Sequence, residues 1–482
     1  MKKVGIEAAS FYVPNLYVKI AELAEARAIP FAKLNKGLGL NRMALCDQNE
    51  DAASMAANAL FNLIEKNNID PHQIGRIYLG TESALDAAKP TATYATGMVE
   101  EKLSEKYGPR CFKNCDIVDL TFACIGAVDA LHNSLDWLRV GENRQAIVIA
   151  SDLAKYELNS TGEYTQGAGA VALHLTENPK VLSFGATVGV GQESVADFFK
   201  PRRILSKSEA LNLTTQSLKQ LISASEKEGL LLSDNPFWGK ENTEFELFKE
   251  EPVFDGPYSN ECYQNRIAEA LEHFKSQEDL NVLEDWQHLI FHLPYAFQGR
   301  RMILKNWLEW QEEFDNSERL KTEIGEPQEG SYGDWLKKAS KSELYQSFIS
   351  ERIAPGEKAS SEIGNMYTAS IFMSLLSMFS QVATEGREIT GDRIGFLSYG
   401  SGSKAKVFSA QVEAGWQDQV ANLNLFALLE NRQAISIAEY EALHRKQLDQ
   451  ALSNTQSFRF SHLSEEELKR GYRNYVYRLG EK

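Results

Sequence analysis

Along most of the chain, short apolar runs alternate with helically spaced apolar positions, and that alternation predicts an α/β fold. Residues 76–80 form a compact apolar run that stops at Thr81-Glu82-Ser83. Residues 117–120 form another, which stops at Thr121-Phe122-Ala123-Cys124. Beyond Cys124 the apolar spacing turns helical through Ile125, Val128, Leu131, Leu135 and Leu138. Residues 146–150 read as a buried strand ending at Ser151-Asp152, and 167–175 as a glycine pair leading into a further strand.

The second half repeats this order. Residues 289–291 predict a strand ending at His292, and Gly364-Asn365 opens a helix with Ala369, Ser370, Ile371, Leu375, Leu376 and Phe379. A strand at 394–397, the turn Gly400-Ser401-Gly402 and an alternating strand at 405–412 follow. Such a recurrence predicts a duplicated α/β unit, with its two small-residue helices buried between sheets. The halves are placed at 1–178 and 179–412. Two polar stretches, 206–251 and 304–356, interrupt the second half and read as helical insertions on the surface. The charged segment 413–482 reads as a helical cover on the body.

Charge narrows the partners. With 51 Lys+Arg against 67 Asp+Glu the net charge is −16, which argues against nucleic acid or an anionic membrane as the main partner. No apolar run approaches the roughly 20 residues of a membrane helix. The acidic Glu7 stands where a signal peptide would be apolar, so a cytoplasmic protein is expected. Five cysteines in 482 residues do not make a disulfide scaffold. Neither a phosphate-binding loop, nor GxGxxG after a strand, nor HExxH is present, and no metal is expected.

Chemistry gathers at the ends of the predicted elements. Cys124 lies at a strand-to-helix junction, where helix amides favour a thiolate, and Ala123, Gly126 and Ala127 leave room beside it. Glu82 follows a strand directly among apolar neighbours, a setting that raises a carboxylate's pKa and suits a base. His292 closes a strand before Leu293-Pro294-Tyr295. Asn365 holds the place equivalent to the cysteine, and Ser401 sits between two glycines. Each has an ordinary structural reading on its own. Together they suggest a thioester enzyme that makes a carbon–carbon bond: cysteine holds the acyl group, a carboxylate removes its α-proton, and histidine with asparagine steers the second carbonyl.

These residues, in their settings, resemble hydroxymethylglutaryl-CoA synthase of the thiolase superfamily. The matching stretches are Gly80-Thr-Glu-Ser83 with Asp86, Thr121-Phe-Ala-Cys124, Ser151-Asp152 with Tyr156, and residues 165–170. Asp255-Gly256 with Ser259 and Tyr263, Phe291-His292 with Pro294-Tyr295, residues 364–368 and residues 398–402 complete the series. The resemblance implies a layered α-β-α-β-α thiolase-like fold and a homodimer. It implies the conversion of acetyl-CoA, acetoacetyl-CoA and water to 3-hydroxy-3-methylglutaryl-CoA and CoA, without a cofactor. Cys124 would carry the acetyl group, Glu82 would remove a methyl proton and His292 would assist at the ketone oxygen. Tyr156, Thr165, Ser259, Arg301, Asn365 and Ser401 would contact the substrates, and the product would enter the mevalonate route to isoprenoids.

Two departures stand out. Phe297 occupies a place where the family usually has lysine, which suggests that the pair Arg300 and Arg301 holds the nucleotide instead. Tyr164 replaces the family's proline. Four other readings compete. A biosynthetic thiolase would need a second catalytic cysteine, and Cys262 lies in a polar Asn-Glu-Cys-Tyr setting unlike a strand end. An initiating ketoacyl-carrier-protein synthase needs no glutamate base, so Glu82 counts against it. A carrier-protein-dependent β-branching synthase would favour a basic docking surface, which the acidic chain disfavours. A non-catalytic scaffold leaves the joint presence of Cys124, Glu82 and His292 without a purpose.

Overall fold

The computed structural model describes residues 2–206, 244–247, 249–328 and 330–478. Its main sheet has nine strands: β1 (Val4–Tyr12), β2 (Ile74–Gly80), β3 (Asp116–Leu120), β4 (Gln145–Ala154), β5 (Gly167–Glu177), β6 (Leu182–Gln192), β7 (His288–Phe291), β8 (Arg393–Gly400) and β9 (Lys404–Val412). Four helices matter most for the site: α1 (Ala52–Asn67), α2 (Gly126–Arg139), α3 (Gly256–Lys275) and α4 (Ser370–Thr384). Among the described residues no helix is long and apolar enough to cross a membrane.

The spatial strand order is β7-β8-β9-β6-β1-β5-β4-β2-β3, and it carries the duplication. In the first repeat β2 lies parallel to β4, β4 antiparallel to β5 and β5 antiparallel to β1. In the second, β7 lies parallel to β8, β8 antiparallel to β9 and β9 antiparallel to β6. Thus β2 corresponds to β7, and α2 to α4. The repeats meet through a short pairing of Gly5 with Ser183 and Ile6 with Leu182. A Cβ on Gly5 would lie 1.9 Å from the Leu182 carbonyl oxygen, so this junction requires glycine. Among the described residues strand β3 has no counterpart in the second repeat, where helices within 304–324 and 332–363 stand instead.

Both sheet faces are buried, which is why the strands read as unbroken apolar runs. Ile77, Leu79, Ile147 and Ile149 face α1 in one core cluster. Val148, Val171 and Leu173 face the opposite way and share a second cluster with α2, α4, Phe396 and Phe408. Leu289, Phe291, Leu397 and Val407 form a third cluster with Ile267 and Phe274 of α3. The layers are therefore α1, sheet, α2 with α4, sheet, α3. Asp51 caps α1 and Asp255 caps α3, each accepting a backbone N–H of its first turn.

Two sequence expectations meet a different outcome, and a third falls largely outside the described residues. Within 413–482, Ile437–His444 is helical, but β10 (Ser457–Leu463) and β11 (Arg473–Arg478) form an antiparallel hairpin. Phe458 and Phe460 pair with Tyr477 and Tyr475 across it, at ring-centre distances of 4.8 and 6.0 Å. That two-residue aromatic period is interleaved with charges, and the charges suggest a helix. Stretch 304–356 is helical, yet it is more than a surface feature: Trp307, Trp310, Tyr345 and Phe348 are buried in the α3 cluster. At the margins of 206–251, Arg203–Ser206 and Glu244–Leu247 pair as strands, and the expected interior helices lie outside the described residues.

Close approach of β2 to α2 fixes the end of β2 that leads to Glu82. A Cβ on Gly80 would lie 2.1 Å from the Ala127 backbone nitrogen, whereas one on Gly97 would meet nothing within 4 Å. Gly80→Ala is expected to cost about 1–3 kcal/mol or more, while Gly97→Ala, inside the helix Thr91–Tyr107, should be neutral or stabilising by roughly 0.5–1 kcal/mol. Chemical unfolding of both variants checks the pair. Equal stabilities would contradict the contact between strand end and helix.

Candidate active site

Strand β2 delivers Glu82 through a clamp on Asp152. The buried Asp152 carboxylate accepts from Thr81 Oγ1 at 2.8 Å and from the Glu82 backbone N–H at 2.9 Å. Its other oxygen accepts from Thr368 Oγ1 at 2.5 Å and from the Thr368 backbone N–H at 3.1 Å. Thr368 Oγ1 also lies 3.1 Å from the Gly80 carbonyl oxygen. One carboxylate thus ties the end of β2 to the segment that enters α4, joining the two repeats at the site.

Cys124 is turned into the same space by Ala123, whose φ of 37° lies in the left-handed region. Its Sγ is 3.9 Å from Glu82 Oε2. Around it, Ala154, Tyr156 and Tyr367 form a small buried cluster, with Phe198 and Phe254 packed against them. Burial, then the Glu82 charge, raises the Cys124 thiol well above its ordinary range. The expectation of a thiolate favoured by the helix start is therefore corrected. Desolvation and the nearby carboxylates of Glu82, Asp152 and Asp197 outweigh any help from the helix start, and the resting thiol keeps its proton.

Glu82 is raised as well, to about 7, chiefly by burial, with Lys200 opposing and Asp152 reinforcing the shift. Its side chain is only 5% exposed and lies 3.3 Å from Lys200 Nζ. His292 follows β7, the counterpart of β2, so the two residues occupy equivalent strand ends. Its backbone N–H donates to the Leu397 carbonyl and its own carbonyl accepts from Tyr263 Oη at 2.8 Å. Burial holds the imidazole down to about 3, so it is neutral near pH 7. Its Nδ1 is buried without a hydrogen-bond partner, and no hydrogen bond or ion pair joins it to Glu82 or Cys124.

The remaining sequence candidates fall into three groups. Asn365 Oδ1 accepts from the Tyr367 backbone N–H, and the Asn365 N–H donates to the Thr165 carbonyl at 3.0 Å, which joins Asn365, Thr165 and the Tyr367 wall. The Tyr156 backbone N–H donates to Gln166 Oε1. Ser401 lines a cavity of about 750 Å³ together with Glu82, Phe122, Phe198 and Lys200. Ser259 is turned to Asp197, donating to its carboxylate at 3.0 Å. Arg301 is exposed beside the Tyr295 ring, apart from that cavity. Arg300 is bound to the buried Glu357 by two hydrogen bonds, so the suggested arginine pair for a nucleotide is reduced to Arg301.

Two residues here escape sequence reasoning. Asp197, fully buried, accepts from Ser259 Oγ, from Tyr399 Oη at 2.8 Å and from the Gly402 N–H at 2.7 Å. Lys200 follows on the same segment. Neither lies at the end of a recognisable element, and a single sequence gives no local signal for them. A second cavity of about 620 Å³, lined by Lys155, His444 and Arg473, also reaches Glu82 and Lys200.

A duplicated α/β fold with a cysteine at the start of one central helix, and a carboxylate and a neutral imidazole at equivalent strand ends, defines a condensing enzyme of the thiolase-like class. Comparisons with known proteins narrow it. Residues 1–180 match the hydroxymethylglutaryl-coenzyme A synthase N-terminal family, and residues 244–478 match the C-terminal family. The chain is 29% identical over 458 residues to the hydroxymethylglutaryl-CoA synthase of Haloferax volcanii, covering 92% of each. It is 28% identical to that of Enterococcus faecalis, covering 98% of this chain and 100% of the relative. A solved structure of MvaS in complex with 3-hydroxy-3-methylglutaryl coenzyme A superposes with a TM-score of 0.75 at 28% identity, over 99% of both chains. The chain belongs to the hydroxymethylglutaryl-CoA synthase family.

The raised Glu82 has a consequence for stability. Below pH 4.5 the carboxyl is protonated folded and unfolded; between 4.5 and 7 only the folded protein holds the proton, so stability falls as pH rises, and above 7 the penalty is constant. Glu82→Gln should therefore match the wild type near pH 4 and exceed it by about 3 kcal/mol at pH 8. Unfolding titrations at several pH values check this. A pH-independent difference would contradict the raised pKa.

Proposed function

We propose that the chain condenses acetyl-CoA with acetoacetyl-CoA and water to give 3-hydroxy-3-methylglutaryl-CoA and free CoA. The single observation that carries this reading is the buried contact of Cys124 Sγ with Glu82 Oε2 at 3.9 Å, a thiol and a base sharing one small chamber. The Cys124 sulfur attacks the acetyl thioester carbonyl, CoA leaves with the thiol proton, and the acetyl group remains on sulfur. Glu82 then takes a proton from the acetyl methyl group, a task suited to a carboxylate poised near 7.

The resulting carbanion bonds to the ketone carbon of acetoacetyl-CoA. The oxygen that develops negative charge there accepts a hydrogen bond from the N–H of neutral His292 and takes up the proton that Glu82 removed from the methyl group, so Glu82 ends the step ionised again. A neutral imidazole is the right donor, because it supplies a hydrogen bond without a buried cation. Water then adds to the thioester carbonyl and the carbon–sulfur bond breaks; one water proton returns to the Cys124 sulfur, the other is released to solvent, and the product leaves with a new carboxylate.

Tyr156, Asn365 and Thr165 shape the wall of the acyl chamber, Ser401 meets the CoA thioester in the cavity outside it, and Arg301, apart from that cavity, meets the CoA nucleotide. Ser259 acts through Asp197. Nothing in these steps calls for a metal or a redox cofactor. The chain works as a homodimer in the cytoplasm; support comes from the edge of β3, which has a neighbour on one side only, and from a human relative, 28% identical, named as cytoplasmic. Its product would supply the mevalonate route.

Purified protein mixed with both CoA thioesters should form hydroxymethylglutaryl-CoA, identified by mass, only when both are present. Cys124→Ser should form none and retain no label from radioactive acetyl-CoA after denaturation. Absence of product from the wild type would overturn the reaction, and label retained by the serine variant would overturn the nucleophile.

A further inference from the structure

The segment Asp197–Lys200 crosses from one repeat to the other. Asp197 is pinned within the second repeat by Ser259, Tyr399 and the Gly402 N–H. Phe198 and Phe199 pair antiparallel with Phe254 and Val253. Lys200 then reaches the first repeat, with its side chain 11% exposed. Its Nζ lies 3.3 Å from Glu82 Oε1, donates to the Glu82 carbonyl oxygen at 3.4 Å and stands 4.8 Å from the centre of the Tyr367 ring. Glu82 Oε1 is buried and has no aligned hydrogen bond, so the contact is an ion pair that leaves the oxygen's lone pairs available.

We propose that Lys200 is the positioning residue for Glu82: its ammonium keeps the buried carboxylate ionised, and therefore basic, until the methyl proton is taken. This rests on the reaction proposed above. Charge accounting leads to it. Glu82 is faced by the Cys124 thiol at the start of α2, by Asp152 at the end of β4, by the Tyr156 and Tyr367 hydroxyls and by Lys200. Arg202 lines the same cavity, and Lys155, on the second cavity, is already paired with Glu250 and Glu251. Asp152 and burial both favour the protonated acid, while Lys200 opposes them. With Lys200 neutralised, the carboxyl would hold its proton through neutral pH and could not accept another. Unaligned geometry matters too, because a tight two-bond pair would stabilise the anion so far that it became a poor base.

The test uses full-length Lys200→Met and Lys200→Arg, with Lys200→Gln as a second neutral variant should the methionine variant not fold. For the wild type, the acid limb of the pH–rate profile is expected to have its midpoint near 7. In the neutral variant that midpoint should rise by about one unit or more, with activity at pH 7 lower by about fivefold or more and recovery as pH rises. Arginine should restore the wild-type midpoint. A uniform loss at every pH, or an unmoved midpoint, would overturn the proposal. Infrared titration of the Glu82 carboxyl in unliganded protein, wild type against the neutral variant, reads the same shift without turnover. If the wild type makes no product but this titration moves upward, the reaction fails while the Lys200–Glu82 link stands; an unmoved titration removes the link.

Discussion

Holding a carboxylate out of water beside a thiol is expensive, and the architecture around Glu82 is organised by that cost. Burial and Asp152 favour the protonated acid, and Lys200 pulls it back toward the ionised carboxylate. The same burial keeps the Cys124 thiol protonated and the His292 imidazole neutral. The thiol and the imidazole are thus held neutral, while Lys200 keeps the third group, the Glu82 carboxyl, within reach of its ionised form. Such a site gives a reacting carbanion few stray protons, and a water-free wall strengthens each remaining dipole.

Duplication supplies the positions. A strand end and a helix start recur in each repeat, so the fold offers two of each in one place. Glu82 and Cys124 occupy the first repeat's pair; His292 and Asn365 occupy the second's. What brings the pairs together is Asp152, whose four hydrogen bonds span both repeats, and Gly80, which lets β2 approach α2. The second repeat returns a strap through Asp197 that ends in Lys200. Each repeat therefore contributes a group that acts on the other's chemistry.

Much of this was legible along the chain, for a physical reason. Strands buried on both faces read as unbroken apolar runs, and reactive residues placed at their ends stand next to those runs in sequence. Glu82, Cys124 and His292 are visible in that way. The protonation state of Cys124 was not, because it depends first on burial and then on a carboxylate 42 residues away. Arg300 looked free for phosphate until its partner Glu357, 57 residues on, was brought beside it. Lys200 and Asp197 owe their positions to tertiary pairing alone. The C-terminal hairpin hid its alternating aromatics among charges, whose density outweighed the two-residue period.

Trideuteroacetyl-CoA offered together with acetoacetyl-CoA tests the division of labour between Cys124 and Glu82 most directly, with peptide mass spectrometry of the enzyme and of the product. The wild type should give hydroxymethylglutaryl-CoA carrying two deuterons in its new methylene group. Glu82→Gln should be slower by about 10²–10⁴-fold and should accumulate acetyl on the Cys124 peptide with all three deuterons retained. Product from Glu82→Gln at the wild-type rate, or acetyl found on a residue other than Cys124, would contradict the account.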